Sequence, residues 1–181
     1  MHAQSRIPVA VLGATGMVGQ RFIELLRDHP WFELVALAAS DRHEGRSYAE
    51  VAKWRLAGSE MPTSAATLPV VACQPEALPV DVKIAFSALP AEVAGEVEAA
   101  FARAGIAVFS NAKHYRMEHN VPLLIPEVNA DHAAAIAQQR KQRGWPGSII
   151  TNANCSATPL VMALKPLQQA FGLRKVMVTT L

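Results

Sequence analysis

The chain has 181 residues, of which 51% are apolar and 18% are charged, and its formal net charge is +2. A chain this apolar and this nearly neutral can bury a substantial core, so the composition excludes an intrinsically disordered protein. Its Lys and Arg residues are scattered rather than clustered, which argues against a nucleic acid or an anionic membrane as a partner. No apolar run reaches the roughly 18 residues of a membrane span, and the first residues lack the apolar core of a signal peptide.

Cysteine usage indicates the compartment. The chain has only two cysteines, Cys73 and Cys155, which are too few for a disulfide framework and indicate a reducing compartment. We therefore predict a cytoplasmic protein. Cys73 lies in a short apolar segment without polar neighbours, so we assign its side chain to the core. No spacing of ligating residues predicts a metal site.

Strands and helices alternate along the chain. A nearly continuous apolar run predicts a buried strand at residues 7–12, followed by a helix at 17–28 and a second strand at 32–39, which together form a βαβ unit. Residues 40–67 are a long connection with a short helix at 48–54. We predict further strands at residues 70–73, 82–87, 106–110, 123–125 and 148–151, and further helices at 91–104, 129–143 and 157–171, the last kinked at Pro166.

This order predicts an α/β fold with a doubly wound, mostly parallel sheet and right-handed crossovers, a Rossmann-like architecture. Residues 176–181 have strand propensity but no turn or partner after them. We expect this strand to enter a second domain or, as an alternative, to pair at the edge of the present sheet.

A glycine-rich turn separates the first strand from the first helix. Gly13, Gly16 and Gly19 form a G-x-x-G-x-x-G pattern in the strand-to-helix context that a dinucleotide fingerprint requires. Glycines at such a turn let backbone N–H groups approach a pyrophosphate, and the helix N-terminus adds a partial positive charge. The alternative is that these glycines only allow the helix and the strand to pack closely.

The end of the second strand bears on the choice of cofactor. An acidic residue there binds the ribose hydroxyls of NAD, whereas an Arg accepts the 2′-phosphate of NADP. The sequence has Ser40, Asp41 and Arg42. We favour NADP because Ser40 and Arg42 can donate a hydrogen bond and a charge to one phosphate, but an inward Asp41 would favour NAD.

Cys155 lies between a predicted strand and a predicted helix, flanked by Asn154 and Ser156. A thiol near a helix N-terminus is favoured in its thiolate form, and nearby backbone N–H groups can stabilise an oxyanion. A nucleophilic cysteine beside a nicotinamide pocket suggests aldehyde oxidation, in which thiol addition and hydride transfer to the cofactor give a thioester that an acceptor releases.

Several motifs together resemble one family, the aspartate-semialdehyde dehydrogenases, and most of all its archaeal and fungal branch. The segments are residues 13–19 (GATGMVG), 86–90 (FSALP), 110–117 (SNAKHYRM), 124–129 (LIPEVN) and 151–156 (TNANCS). They occur in the family's order and cover nearly the whole chain.

The resemblance implies NADP-dependent reductive dephosphorylation of aspartyl 4-phosphate to aspartate semialdehyde and phosphate, a step of lysine, methionine and threonine biosynthesis. It implies that Cys155 is the nucleophile and that Asn154 positions the thiol or the acyl oxygen, although a local turn hydrogen bond explains Asn154 nearly as well. The substrate phosphate is assigned to Asn111 and Arg116, assisted by Lys113. The cofactor residues are Gly13, Thr15, Gly16, Met17, Val18 and Gly19 at the pyrophosphate, Ser40 and Arg42 at the 2′-phosphate, and Ser87, Ala88, Leu89 and Pro90 on the nicotinamide side.

The chain also departs from the family, whose members are about twice as long. The resemblance makes residues 1–155 the NAD(P)-binding domain and residues 156–181 the start of an incomplete α+β domain for catalysis and dimerisation. That second domain holds the family's catalytic His and the Arg for the substrate carboxylate, and all six histidines here precede Cys155. We therefore expect the chain alone to be an inactive part of a homo-oligomeric enzyme.

Three alternatives remain open at this stage. N-acetyl-glutamyl-phosphate reductase uses the same chemistry, but its glycine-loop Tyr and its Gly-Cys-Tyr setting are replaced here by Met17 and by Asn154 and Ser156 around Cys155. A malonyl-CoA reductase is the second alternative. A non-catalytic dinucleotide-binding or dimerisation module is the third.

Overall fold

The computed structural model describes residues 6–179. The strands are β1 (Ile7–Leu12), β2 (Phe32–Ala39), β3 (Val70–Ala72), β4 (Ile84–Ser87), β5 (Ala107–Ser110), β6 (Leu123–Leu124) and β7 (Ser148–Asn152). The helices are α1 (Met17–Leu25), α2 (Tyr48–Val51), α3 (Thr63–Ala66), α4 (Ala91–Arg103), α5 (Pro126–Asn129), α6 (Ala135–Arg143) and α7 (Ala157–Phe171). Short 3₁₀ turns lie at Asp41–His43, Pro75–Ala77 and Ala130–Ala134.

The strands form one parallel sheet, which confirms the predicted α/β class and the doubly wound arrangement. Its order is β3-β2-β1-β4-β5-β7-β6, and every neighbouring pair is parallel. From β1 the chain builds outward on one side through β2 and β3, then returns to build the other side from β4. The switch point between β1 and β4 is where open α/β sheets form a ligand crevice, at the carboxyl ends of the strands.

Both faces of the sheet are covered, which explains the continuous apolar runs of its strands. Alternate residues of one strand belong to different cores, because successive side chains point to opposite faces. Val9 and Val11 of β1 pack with Ile23 of α1 in one core. Ala10 and Leu12 of the same strand belong to the other core, which α4 covers.

The register aligns the carboxyl ends of four strands in one row. Leu12 of β1 pairs with Ser87 of β4, Ser87 pairs with Ser110 of β5, and Ser110 pairs with Thr151 of β7. One residue further along the chain are Ala88, Asn111 and Asn152, which therefore lie side by side at one edge of the sheet. Gly13 follows Leu12 at the same edge.

Two helices differ from the sequence-based prediction. The helix predicted at residues 17–28 ends at Leu25, and Asp28 has a positive φ of 52° that no α-helix accommodates. The helix predicted at 129–143 is divided into α5, a 3₁₀ turn and α6. Asn129 does not cap it, because its side chain returns to β6: Oδ1 accepts from the Ile125 amide at 2.8 Å and Nδ2 donates to the Leu123 carbonyl at 2.9 Å.

The last described segment is not a strand of this sheet. Residues 176–179 have no ladder partner among the described residues, and residues 180–181 of the predicted strand lie outside them. Strand propensity produces a strand only where a partner offers free backbone groups, and residues 176–179 pair with no strand of the described sheet. The predicted edge pairing is therefore wrong for the described part. α7 has no buried residue, and no helix within residues 6–179 combines the length and hydropathy of a membrane span.

Candidate active site

A cleft with a volume of about 740 Å³ lies at the carboxyl edge of the sheet. Residues from the glycine turn, from the loop after β5 and from the β7–α7 connection meet in it, although they are far apart in sequence. The predicted residues that line it are Val18, Asn111, Arg116, Asn154 and Cys155. Residues without an earlier assignment complete the lining: Leu124, Ile125, Pro126, Glu127, Asn152, Ala153, Thr158, Pro159 and Met162.

Cys155 stands at the junction of β7 and α7, and its side chain is exposed. The turn that presents the thiol is built by Asn154. Its Oδ1 accepts from the Ser156 amide at 2.9 Å and from the Ala157 amide at 3.4 Å, while its carbonyl accepts from the Thr158 amide at 3.0 Å. These bonds supply acceptors for N–H groups that a helix N-terminus leaves unpaired. They favour the local-turn interpretation of the Asn154 oxygen.

Arg116 reaches the cleft on a loop that folds back on itself. One Nη donates to the Asn111 carbonyl at 2.7 Å, and Nε is buried without a hydrogen-bond partner among the described residues. An unpaired buried guanidinium donor is costly, and an oxyanion would satisfy it. Lys113 is exposed and does not line the cleft, so the structure separates it from the other two predicted phosphate residues.

Two hydrogen-bonded side-chain amides also line the cleft that contains Cys155. Asn152 Nδ2 donates to Asn111 Oδ1, which directs the Asn111 amide nitrogen away from Asn152. The sequence-based reasoning did not assign Asn152. The available signal was its place directly after Thr151, in register with Asn111 on the adjacent strand, and that register becomes apparent only when the strands are paired.

A second cleft, of about 430 Å³, is lined in part by the glycine turn itself. It brings together Gly13, Thr15 and Gly16, the predicted Ser40, and the predicted segment at residues 88–90. Its full lining is Gly13, Thr15, Gly16, Ala39, Ser40, Asp41, Cys73, Ala88, Leu89, Pro90, Val93 and Val97. Ala88, Leu89 and Pro90 were predicted on the nicotinamide side, yet the structure groups them with Ser40 and not with Cys155.

Cys73 is half-buried at the wall of this second cleft. Burial raises the pKa of its thiol from 9.0 to about 12, and a backbone hydrogen bond with Gly13 offsets only part of that effect. The thiol therefore stays protonated at physiological pH, as expected of a packing residue.

The segment at residues 13–18 contributes to both clefts, and hydrogen bonds from α1 and α2 hold it in place. Tyr48 of α2 donates its hydroxyl to the Ala14 carbonyl at 2.7 Å, and Gln20 of α1 donates to the Lys53 carbonyl at 2.8 Å. Within residues 6–179 no side chain caps the N-terminus of α1, so its first amide groups remain available to an anion. Met17 and Val18, at that terminus, are exposed.

Close packing accounts for two of the three glycines. A Cβ on Gly13, whose φ is +75°, would lie 2.7 Å from the Ala88 carbonyl oxygen, and a Cβ on Gly19 would lie 2.4 Å from the Gly13 oxygen. At Gly16 the nearest atom, the Gly13 oxygen, is 3.4 Å away. Close packing therefore explains why residues 13 and 19 are glycines, whereas a Cβ at Gly16 would make only an ordinary contact.

The segment after β2 presents its acidic residue to the second cleft. Ser40 and Asp41 line it, whereas Arg42 is exposed outside it, with Nε 3.2 Å from His43 Nε2. The predicted partnership of Ser40 and Arg42 is therefore not formed by these side chains as they stand. The 3₁₀ turn at Asp41–His43 rotates successive side chains by about a third of a turn, which is what separates Arg42 from Ser40.

Ser87 differs from the prediction, because its side chain faces the interior. It is fully buried and its Oγ donates to Glu98 Oε1 at 2.6 Å. Ser110 makes the same bond at the same distance. Burial raises the pKa of Glu98, and the hydrogen bonds from Ser110 and Ser87 oppose that shift. Glu98 was not singled out from the sequence, although it lies on the apolar face of α4, where a carboxylate is unusual.

A family model for the NAD-binding domain of semialdehyde dehydrogenases matches residues 8–136. Among curated relatives, the aspartate-semialdehyde dehydrogenase of Archaeoglobus fulgidus is 51% identical over 97% of this chain, which covers 50% of that protein. The corresponding protein of Cryptococcus neoformans is 48% identical over 100% of this chain, again covering 50% of the relative. The chain thus spans about half the length of these relatives.

Solved structures agree with the sequence comparison. The crystal structure of aspartate semialdehyde dehydrogenase with NADP from Candida albicans has a TM-score of 0.85 and 45% identity, over 93% of this chain and 48% of that chain. Aspartate semialdehyde dehydrogenase II complexed with ASA, from Vibrio cholerae, has a TM-score of 0.70 and 31% identity, over 93% and 48% of the two chains. This chain belongs to the semialdehyde dehydrogenase family, whose NAD-binding domain it matches at residues 8–136.

Proposed function

We propose that the chain supplies the NADP-binding domain and the nucleophilic cysteine of an enzyme that reductively dephosphorylates aspartyl 4-phosphate to aspartate semialdehyde. One observation carries the proposal: Cys155 shares a cleft with Val18, at the N-terminus of the helix that the glycine turn opens. A dinucleotide bound across that turn would extend from the second cleft toward the thiol. Such a path suits a nicotinamide cofactor that must meet a covalently bound substrate.

Cys155 acts as the nucleophile in this proposal. Its thiolate attacks the acyl carbon of the substrate, the carbon–oxygen bond to phosphate breaks, and a thioester remains on the sulfur. The first amides of α7 already donate to Asn154, so the donor proposed for the negative oxygen is the side-chain nitrogen of Asn154, which precedes the thiol in the chain. The residues of the glycine turn would hold NADPH, which when bound would supply the hydride for reduction of the thioester to the aldehyde, leaving the Cys155 sulfur as a thiolate.

Arg116 and Asn111 bind the phosphate in this proposal. One Nη of the planar Arg116 guanidinium already donates to the Asn111 carbonyl, so the unpaired Nε and the remaining N–H groups are the donors proposed for the phosphate. The bond from Asn152 to Asn111 holds the neighbouring amide in place. Lys113 takes no part, since it lies outside the cleft.

NADP remains the proposed cofactor, with NAD as the weaker candidate. A relative of similar fold is known with NADP, and Arg42 is one residue beyond Asp41, within reach of a 2′-phosphate after a side-chain rotation. Ser40 already lines the cleft that would hold the adenosine half. Asp41 lines the same cleft, and its carboxylate would repel a 2′-phosphate unless it turns outward.

The wider assignments are part of the same proposal. Residues 1–155 would form the NAD(P)-binding domain and residues 156–181 would begin a second unit, a division supported by the buried β7 and the unburied α7. Two cysteines without a disulfide framework support the cytoplasm as the compartment. A role in lysine, methionine and threonine biosynthesis, within a homo-oligomer, is proposed on the family resemblance alone.

Alkylation of Cys155 by iodoacetamide tests the proposal without requiring turnover. We expect NADP to slow the alkylation of the Cys155 peptide, measured by mass spectrometry, and NAD to slow it less at the same concentration. The Cys73 peptide serves as the internal control, because its raised pKa keeps that thiol unreactive near pH 8. Failure of both nucleotides to protect Cys155 would support a non-catalytic module, and equal protection would contradict the assignment of Ser40 and Arg42.

Replacement of Arg116 tests the phosphate assignment. With Arg116→Lys we expect the concentration of inorganic phosphate that half-protects Cys155 from alkylation to rise about tenfold or more, because Lys cannot offer two parallel donors. Lys113→Ala, on the same loop but outside the cleft, is the matched control and should leave the half-protecting concentration unchanged. An equal loss in both variants would show that only the general positive charge of the loop matters.

A further inference from the structure

A buried carboxyl group joins the ends of the two central strands from which both clefts are built. Glu98 of α4 has 0% of its surface exposed. Its Oε1 accepts from Ser87 Oγ and from Ser110 Oγ, each at 2.6 Å, while Oε2 has no hydrogen-bond partner among the described residues. A buried carboxyl with one unsatisfied oxygen destabilises a fold relative to an apolar side chain of similar size. Core stability alone therefore does not account for Glu98.

The two serines end their strands at the edge where the clefts open. Ser87 is the last residue of β4, and residues 88–90 after it line the second cleft. Ser110 is the last residue of β5. It is followed by the loop from Asn111 to Arg116, and both of these residues line the cleft that contains Cys155. Glu98 Oε1 thus accepts hydrogen bonds from the two residues that directly precede the cleft-lining segments.

The hydrogen-bond directions extend this connection beyond the serines. A hydroxyl has one hydrogen to donate and lone pairs to accept with. Because the Ser110 hydroxyl donates to Glu98, its lone pairs are left for the Ala112 amide, which donates to Ser110 Oγ at 3.0 Å. The Asn111 amide donates to the Ser87 carbonyl at 3.0 Å. Without the acceptor on Glu98, the Ser110 hydroxyl could rotate and release the Ala112 amide.

We propose that Glu98 is a positioning residue for both clefts: by accepting from Ser87 and Ser110, it fixes the cofactor segment at residues 88–90 and the phosphate loop at residues 111–116 relative to each other. Glu98 touches neither ligand, so it acts only through the two serines. The ligand part of this inference rests on the proposed function.

Substitutions at Glu98 separate the acceptor from the carboxyl charge. Glu98→Met removes the acceptor and keeps the length, so we expect both the NADP affinity and the phosphate protection of Cys155 to fall about tenfold. Glu98→Gln keeps an oxygen that can accept from both hydroxyls and should restore both values to within about threefold of the parent chain. Glu96→Met, at an exposed position on the same helix, is the matched control and should change neither.

Replacing each serine separately should weaken ligand binding in only one of the two clefts. Ser110→Ala should weaken the phosphate protection of Cys155 and leave the NADP affinity nearly unchanged. Ser87→Ala should do the reverse. A merely structural role would lower the melting temperature without this division, so the pattern of affinities and not the stability decides the question.

Amide hydrogen exchange of the full 181-residue chain supplies a readout that needs no ligand. We expect the Ala112 amide to exchange about tenfold faster or more in Glu98→Met, and at the parent rate in Glu96→Met. If the parent chain binds neither NADP nor phosphate, the proposed function fails, yet this exchange still decides the role of Glu98. Normal Ala112 exchange in a folded Glu98→Met, or a Glu98→Gln that behaves like Glu98→Met, would overturn the inference. If Glu98→Met does not fold, normal Ala112 exchange in Ser110→Ala would overturn it.

Discussion

Gly13 joins the first strand to the cofactor turn, and its backbone does two things that another residue cannot. Its φ of +75° lies in the left-handed region, and its α-carbon stands so close to β4 that a Cβ would meet the Ala88 carbonyl oxygen at 2.7 Å. Its amide donates to the Ala38 carbonyl at 2.9 Å, which ties the turn to β2 as well. A single residue therefore sets the spacing among three strands at the switch point.

Replacing this glycine should destabilise the protein by more than backbone strain alone. Gly13→Ala is expected to lower the free energy of unfolding by about 2–5 kcal/mol, from left-handed strain together with overpacking against Ala88. Gly58 has nearly the same φ, +76°, with nothing within 4 Å, so Gly58→Ala reports strain alone, at about 1–2 kcal/mol. Urea unfolding measures both values. Equal losses in the two variants would refute the close-packing account of Gly13.

At the scale of an element, α7 begins where the thiol is presented, and its first turn is organised by a residue that precedes the helix. Asn154 accepts from the Ser156 and Ala157 amides, whereas Ser156 makes no side-chain cap bond of its own. None of the residues of α7 is buried, so tertiary packing contributes little to keeping this turn formed. Its local hydrogen bonds therefore determine how steadily Cys155 is held.

Loss of this cap should loosen the start of α7 and nothing else. Asn154→Ala is expected to destabilise the turn by about 1 kcal/mol, seen as faster exchange of the Ser156 and Ala157 amides, which lose their acceptor. Asn154→Asp keeps the accepting oxygen and should keep the parent exchange rates. Ser156→Ala is the control, with no expected change. A faster exchange in Asn154→Asp equal to that in Asn154→Ala would show that the amide nitrogen, not the capping oxygen, stabilises the turn.

At the scale of the whole molecule, the buried carboxyl of Glu98 links folding to pH. Burial raises its pKa above the usual 4.5, so the folded protein keeps a proton that the unfolded chain has already released. The charge interactions identified around it involve His114, Cys73 and Tyr115. The proton stabilises the fold fully below pH 4.5, and that contribution is lost as the pH rises through the raised pKa.

The pH dependence of unfolding should reveal this group by difference. Between pH 4.5 and the raised pKa, we expect the parent chain to lose stability relative to Glu98→Gln, with a slope of at most about 1.4 kcal/mol per pH unit. Denaturant unfolding across that range measures the difference. Glu96→Gln, which removes an exposed carboxylate from the same helix, provides the comparison. A difference between the parent chain and Glu98→Gln that stays constant with pH would contradict the raised pKa.

The order of strands and helices followed from local patterns in the sequence. Apolar runs bounded by glycine or proline located β1, β2 and β4 to within a few residues, because strands buried on both faces must be apolar throughout. The strand-to-helix settings of Gly13 and Cys155 were also apparent from the sequence, since a strand, a turn and a helix are consecutive along the chain. The family resemblance carried the rest of the functional assignment.

The contacts between residues on different strands were decided by the tertiary structure. The register that puts Ser87 beside Ser110, the inward direction of the Ser87 side chain and its bond to Glu98 all depend on pairing between strands and on which face α4 covers. The same holds for the grouping of residues 88–90 with Ser40, and for the separation of Lys113 from Arg116. Sequence patterns identify elements because neighbouring residues share a backbone period. They do not set the distance between residues on different elements, since that distance arises only when the whole sheet is assembled.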